Sequence, residues 1–349
     1  MTAAAATAGR QRARLHAGRI ARRHGWTTGT FVLLLVLVLY WRSVSPKWGS
    51  FDVQSLVIDA LPLAFAAMAQ AVVIISGGID LSVGSLMALV NVLAAKYMVT
   101  SLGDLSVGST ATPGTFRRAI VVSLLLIAFG ALAGATTGLV ITVTRIADII
   151  VTLAMLFVWA GVALAVLETQ AGSAPLHFQR LGTGYTLTQW LPTGLVILAI
   201  VVLCAWSPIR WTKLGLSLYA IGSSRNAAFL SGISVARTRI GAYALGGAFA
   251  ALGGLALTAT AGIGDPLAGD RAGYTLNSVA AVVLGGVSLL GGVGGLIGPI
   301  AAAFVLTLVK TILVIKGVDQ NYAQVIQGSV IVLVVMIGGL AIRQRGKHA

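Results

Sequence analysis

The sequence has 349 residues, 57% of them hydrophobic and only 9% charged, with a formal net charge of +15. A soluble domain carries about 25% charged residues, so this composition excludes one. Apolar runs long enough to cross a hydrocarbon core of about 30 Å recur along the whole length, which places the chain among polytopic helical membrane proteins. The basic excess sits in the tails and one long loop. No helix carries a basic stripe interleaved with aromatics, so no nucleic-acid partner is expected.

Residues 1–28 are arginine-rich, contain no acid and are expected to form a cytoplasmic tail. The run "FVLLLVLVLYW" that follows has the look of a signal-peptide core. It continues into "WRSVSPKW" with no small-residue cleavage site, which predicts a retained first span. Apolar segments are then expected near 29–44, 54–76, 81–99, 118–143, 147–167, 190–208, 240–262, 274–290, 295–315 and 321–342. The expected fold is all-α: a polytopic transmembrane helical bundle of about ten membrane segments, some broken or re-entrant. It forms one membrane domain over 29–342, with a cytoplasmic loop at 209–239 and a cytoplasmic tail at 343–349. Ten crossings put both termini on one side. The basic residues lean the same way, because the proposed outer loops hold only Arg42, Lys47, Arg117, Arg118, Arg180, Arg271 and Lys316. Lys96 and Lys310 fall within helices, where long stems reach toward an interface. Tryptophans 26, 41, 48, 190, 206 and 211 fall near proposed helix ends.

"ISGGIDLSVGS" (75–85) puts an aspartate and two adjacent glycines inside one of the greasiest stretches. A lone carboxylate away from water costs several kcal/mol, and paired glycines weaken a helix. The stretch recurs in outline as "VVLGGVSLLGG" (282–292), with Gly77 matching Gly285, Asp80 matching Ser288 and Leu81 matching Leu289. Repeated halves with broken helices at matching places point to a transport path near the bilayer midplane. Ser76, Gly77, Gly78, Asp80, Ser82, Asn277, Gly285, Gly286 and Ser288 are the candidate path and helix-break residues. Asp80 has two compatible readings: a cap on the helix beginning near Leu81, assisted by Ser82, or a contact with a polar solute. Gly246–Gly247 and Gly253–Gly254 read as close helix-packing surfaces.

The loop 209–239 contains a short helix-compatible run, "SSRNAAFL", with Ser224 as N-cap and Gly232 as terminator. Tyr219, Ile221, Phe229, Leu230 and Ile233 in it call for a partner surface. Enzyme signals are poor. The histidines (16, 24, 177 and 348) have no metal-ligand spacing, no Gly-x-Ser-x-Gly or HExxH motif is present, and "GGVGGLIGPI" lacks the Lys-Ser/Thr of a phosphate loop. The single cysteine, Cys204, rules out an internal disulfide and reads as a small buried hydrophobe.

"SGGIDLSVGS" resembles the hallmark of the membrane permeases of bacterial ABC sugar importers of the ribose/xylose/arabinose type. "YAIGSSRNAAFLSGISVARTRIGAYALGGAFAALGG" resembles that family's coupling segment and next helix, and "LNSVAAVVLGGVSLLGGVGGLIGPI" its late glycine-rich motif. The similarity runs from about 54 to 340. Departures occur at Gly222-Ser223-Ser224, at Asn277 and at Asp148-Ile149. The resemblance implies a permease subunit for a monosaccharide or similar small polar solute, not an enzyme. No cofactor is implied for this chain, since ATP and Mg would be held by cytoplasmic ATPase subunits. A second permease copy or a similar permease, an extracytoplasmic solute-binding protein and membrane lipid are the other implied partners. Gly222, Ser224, Arg225, Asn226, Ala227, Ala228, Gly232 and Ile233 would couple to the ATPase. Glu168, Arg180, Asp270 and Arg271 would meet the binding protein on outer connections, with Gln170 and Asp265 beside them. The rival is a self-sufficient channel or ion-coupled secondary transporter, which wants paired intramembrane charges. Asp59, Asp80 and Asp148 show no obvious pairing in the sequence.

Overall fold

The computed structural model describes residues 26–45, 47–99, 116–319 and part of 322–336. Most of the arginine-rich tail, most of the segment expected at 321–342, and the tail at 343–349 lie outside the described residues. Seven helices are long and apolar enough to span a membrane: α1 (Trp26–Val44), α2 (Ser50–Ile75), α4 (Phe116–Thr144), α5 (Asp148–Val166), a helix over Thr193–Trp211, α11 (Val235–Ala261) and α14 (Ile297–Ile315). The Thr193–Trp211 helix consists of α7 (Thr193–Val201), a π turn and α8 (Ser207–Trp211). Two apolar helices are shorter, α3 (Val83–Tyr97) and α13 (Tyr274–Leu284). At 1.5 Å per residue they reach only about 22 Å and 16 Å, too little for a full crossing. They are the two segments that the glycine breaks predicted to be interrupted.

Burial sorts the helices. In α2, 89% of the most apolar stretch is buried, against 11% in α1 and 17% in α5. A helix apolar all round belongs in the centre, and α2 is that helix. The outward faces of α4 and α5 carry Leu124, Leu125, Leu132, Ile150 and Phe157, which suit lipid. Cys204 also lies on an exposed face, not in the core. The apolar run around it is greasy for lipid, not for burial.

Small residues hold the bundle together. Gly130, Gly134 and Gly138 lie four apart on one face of α4, where α11 crosses. A Cβ on Gly130 would stand 2.5 Å from Ala251 Cβ, and one on Gly138 3.0 Å from the Ile240 Cα. Gly247 is set against Gly130, Gly246 against Val73 of α2, and Gly254 against Val90 of α3. The glycine pairs of α11 thus seat three different helices. Backbone contact of this kind is how helices associate where lipid removes the hydrophobic drive.

The chain alternates between two ends of the bundle. One end gathers the start of α1, the end of α2, residues 145–148, α9 (Lys213–Ser223), α10 (Arg225–Leu230) and the end of α13. Thr30 Oγ1 donates to the Leu284 carbonyl at 2.8 Å, and Arg225 Nη2 to the Gly77 carbonyl at 3.0 Å. The other end gathers the end of α3 and the start of α4, where Arg118 Nε donates to Tyr97 O at 2.8 Å. Trp41, Trp48 and Trp190 pack there, with ring centroids 6.4 and 5.6 Å apart.

Candidate functional site

The first break begins where α2 stops. Ser76 is its C-cap, Gly77 takes a left-handed φ of 80°, and Gly78 N donates back to Val73 O at 3.0 Å. The second break repeats this at the end of α13. There Gly286 has φ 85° and Val287 N donates to Val282 O at 3.1 Å. Both are the helix-ending turn that glycine alone adopts without strain. The structural match is therefore Gly77 with Gly286, one residue away from the register expected from the glycine pairs. Gly285 corresponds to Ser76 in this register. Ser288 accepts from Leu290 N at 3.3 Å, two residues on, the same local turn that Asp80 makes with Ser82 N, but no helix follows directly, since α14 starts only at Ile297.

Backbone groups freed at depth must find partners inside the protein. The Ile75 carbonyl accepts from Gly292 N at 2.9 Å, a bond between the two breaks. The Gly77 carbonyl accepts from Arg225, and the Ile79 carbonyl from Thr152 Oγ1 at 3.4 Å. Tyr219 of α9 donates to the Gly294 carbonyl at 3.0 Å. Gly222 sits at the centre of this meeting, and a Cβ there would overlap the Ile75 carbonyl and stand 2.5 Å from Gly292 N. A Cβ on Gly291 would lie 3.0 Å from the Cα atoms of Gly222 and Gly77. Three glycine segments, 145 and more residues apart in part, thus meet backbone to backbone: both breaks and the α9–α10 segment.

Asp80 is buried at 3% exposure, and its Oδ1 accepts from Ser82 N at 2.8 Å and Ser82 Oγ at 2.7 Å. This closes a two-residue turn leading into α3. It is not the expected cap on the helix's first free amides, and Ser82 donates to Asp80 instead of assisting it as an acceptor. Asn accepts in this geometry as well as Asp. Asp80→Asn is therefore expected to keep most uptake per membrane-inserted protein. Asp80→Leu leaves a buried amide and hydroxyl unsatisfied at about 1–3 kcal/mol each, and should lose most of it. Equal loss in both variants would show that the charge itself is needed.

Asp148 is a residue whose pairing the sequence did not disclose. It forms an ion pair with Arg239 of α11, both side chains largely buried, and accepts from Tyr243 Oη at 2.9 Å. A Cβ on Gly78 would stand 2.8 Å from both Asp148 Oδ2 and Tyr243 Oη, so this cluster backs the first break. The expectation of an unpaired acid is corrected here for Asp148, while Asp59 and Asp80 form no ion pair among the described residues. Only the folded α5–α11 contact, across 91 positions, brings the pair together.

In the segment 209–239, Ser224 accepts from Ala227 N at 3.3 Å and Gly232 ends α10, as the sequence predicts. Arg225 begins that helix, Asn226 and Ala227 occupy its first exposed turn, and Ile233 is half-buried beyond it. Ala228 and Ile221 are buried at 4% and 1%, so they already have partners within the chain. Phe229 and Leu230 remain exposed at 70% and 85%. At the opposite end Glu168, Arg180 and Asp270 are exposed. Arg271 Nη1 is tied to Asp265 Oδ2 at 2.6 Å, and Gln170 donates to the same oxygen at 2.8 Å. Asn277 lines a cavity of about 600 Å³, which Arg271 also borders. Lys310 faces this cavity too.

The ribose import permease protein of Escherichia coli strain K12 is 32% identical over 321 residues, covering 88% of this chain and 92% of that protein. The ribose import permease protein of Bacillus subtilis strain 168 is 31% identical, covering 93% and 95%. The fructose import permease protein of Rhizobium meliloti is 29% identical, covering 88% and 83%. No solved structure matches the chain. Residues 53–335, which hold both breaks, the junction and the cavity, match the family described as branched-chain amino acid transport system / permease component, and the chain belongs to that family of membrane permeases.

Proposed function

We propose that this permease subunit of an ABC importer forms the path for a monosaccharide through the bacterial cytoplasmic membrane. The end bearing α9 and α10 is cytoplasmic, as are both termini, and two ATPase subunits holding ATP and Mg dock there. A second copy or a similar permease completes the pair. A solute-binding protein delivers from the other side, where Glu168, Arg180 and Asp270 stand exposed. The solute class follows from the ribose and fructose permeases to which the chain is similar. The permease itself forms no covalent intermediate.

The observation that carries the reading is the three-way junction. α10 presents Phe229 and Leu230 outward while its base, through Arg225 and Gly222, is fastened to both helix breaks. A push on α10 therefore acts on both breaks. Exposed apolar residues on a capped helix in a basic region suit insertion into a groove of a partner. Ala228→Arg would disturb internal packing, so the informative variant is Phe229→Asp with Leu230→Asp. It should insert normally, fail to co-purify with the ATPase and lose uptake by more than about tenfold, as loss of interface anchors does. Normal co-purification and uptake would refute the docking.

A further inference from the structure

We infer that the cavity between the end of α4 and the starts of α5, α10 and α11 binds a phosphate group, carried by the headgroup of an anionic phospholipid. The inference does not depend on which solute the permease moves. The cavity, of about 550 Å³, lies at the end of the bundle that holds the junction. Its charged lining is Arg145, Arg225 and Arg239 against Asp148 alone. Arg239 holds Asp148 in an ion pair, so the positive charge of the other two arginines is uncompensated within the lining. Basic pockets between membrane helices are settings in which anionic headgroups bind.

A guanidinium offers five N–H donors in a fixed fork that matches two phosphate oxygens at once. Arg225 gives one to the Gly77 carbonyl and Arg239 one to Asp148. Among the described residues the Arg145 guanidinium has no hydrogen-bond or ion-pair partner. Arg145 also stands where arginine is a poor local choice. It ends α4 with its N donating to Ile141 O at 3.0 Å and a left-handed φ of 57°, a place that glycine usually takes. A long side chain kept in that backbone conformation points to a use for the side chain. Val235 and Ala236, the first two residues of α11, border the cavity as well. The helix dipole is positive at that end and adds to the field of the arginines.

The rim identifies the carrier. Ile146 lines the cavity and is exposed. Along α4 from it, Leu139 and Val143 lie one turn apart on one face and are exposed too. A free anion gains nothing from an apolar edge, whereas a phospholipid lays its acyl chains along one while its headgroup enters the charged space. A headgroup that carries its own cation, such as phosphocholine, meets a positive lining less favourably than one with the phosphate charge alone. Phosphate bound here would bridge Arg145 of the α4 end to Arg225 of α10, and so brace the segment fastened to the first break.

The test is the melting temperature of the full-length permease in neutral detergent, titrated with short-chain phosphatidylglycerol, short-chain phosphatidylcholine or inorganic phosphate. Phosphatidylglycerol should raise it by about 2 °C or more, and phosphatidylcholine by much less. Arg145→Asn suits the left-handed turn but carries no charge. It should melt with wild type in the absence of ligand, yet bind phosphatidylglycerol about tenfold more weakly. Arg145→Lys, which keeps the charge, should stay within about threefold. Arg117→Gln, which removes an exposed charge at the other end of α4, should bind as wild type does. Inorganic phosphate acting as strongly as phosphatidylglycerol would overturn the lipid as carrier. Equal shifts with the two lipids, or undiminished binding by Arg145→Asn, would overturn the site itself. So would a lower melting temperature of Arg145→Asn without ligand, which would make Arg145 structural.

Discussion

Gly222→Ala should uncouple the transporter while leaving it inserted and assembled. Considered locally the change is favourable, because alanine is better than glycine in a helix by about 1 kcal/mol. The site reverses that sign. A methyl group at 222 would occupy the space of the Ile75 carbonyl oxygen and crowd Gly292 N at 2.5 Å. Neither neighbour is a side chain that can turn aside. α9 must draw back, and the Gly292–Ile75 and Arg225–Gly77 bonds go with it. We expect solute moved per ATP to fall by about tenfold or more, the effect of losing contacts worth at least 1.4 kcal/mol in the coupled state. Gly295→Ala, in the same loop with nothing within 4 Å, is the control and should be silent. Full coupling in Gly222→Ala would show that the junction transmits nothing.

The second large effect belongs to the Asp148–Arg239 pair. Removing one member strands a largely buried charge and typically costs about 3–5 kcal/mol, whereas replacing both by apolar groups is often neutral. Asp148→Ala should therefore lower the melting temperature of the detergent-solubilised protein sharply, and the double variant with Arg239→Met should regain at least half of the loss. Tyr243 loses the shorter of its two hydrogen bonds in both and keeps only the Ile79 carbonyl at 3.3 Å, so recovery should be incomplete. A single variant as stable as wild type would mean that the ion pair contributes nothing.

What could be read from the sequence was local. Apolar runs of spanning length located the helices, and the Gly-Gly interruptions located the two short ones, because both signals lie within twenty consecutive residues. The glycine ladder 130–134–138 is equally visible as a four-residue repeat, but only the crossing of α11 shows what it is for. Matching the glycine pairs by identity sets the repeat register one residue away from the match between the left-handed Gly77 and Gly286. What matters is which glycine must turn left-handed, and that depends on where each helix runs out. Residues 213–223 read as loop in the sequence, where Gly215, Ser217 and Gly222 weaken helix propensity, yet Thr212 caps α9 through Gly215 N and its packing overrides the composition. The ion pair of Asp148 with Arg239 joins residues whose proximity only the fold creates. In the one-dimensional record each looked like an isolated charge.

The glycine junction also bears on leakage. Side chains yield by turning about their own bonds, so a contact made through them has play in it, like a worn gear. Where main chain meets main chain there is nothing to take up the slack. The end of α2 and the loop that follows α13, joined by the Gly292–Ile75 bond and both set against Gly222, are expected to shift together when α9 shifts. If the junction couples as proposed, neither slips ahead to leave a half-opened gap through which protons or sodium ions could run down their gradients. For a cell that lives on those gradients, such a gate is as valuable as the sugar it admits.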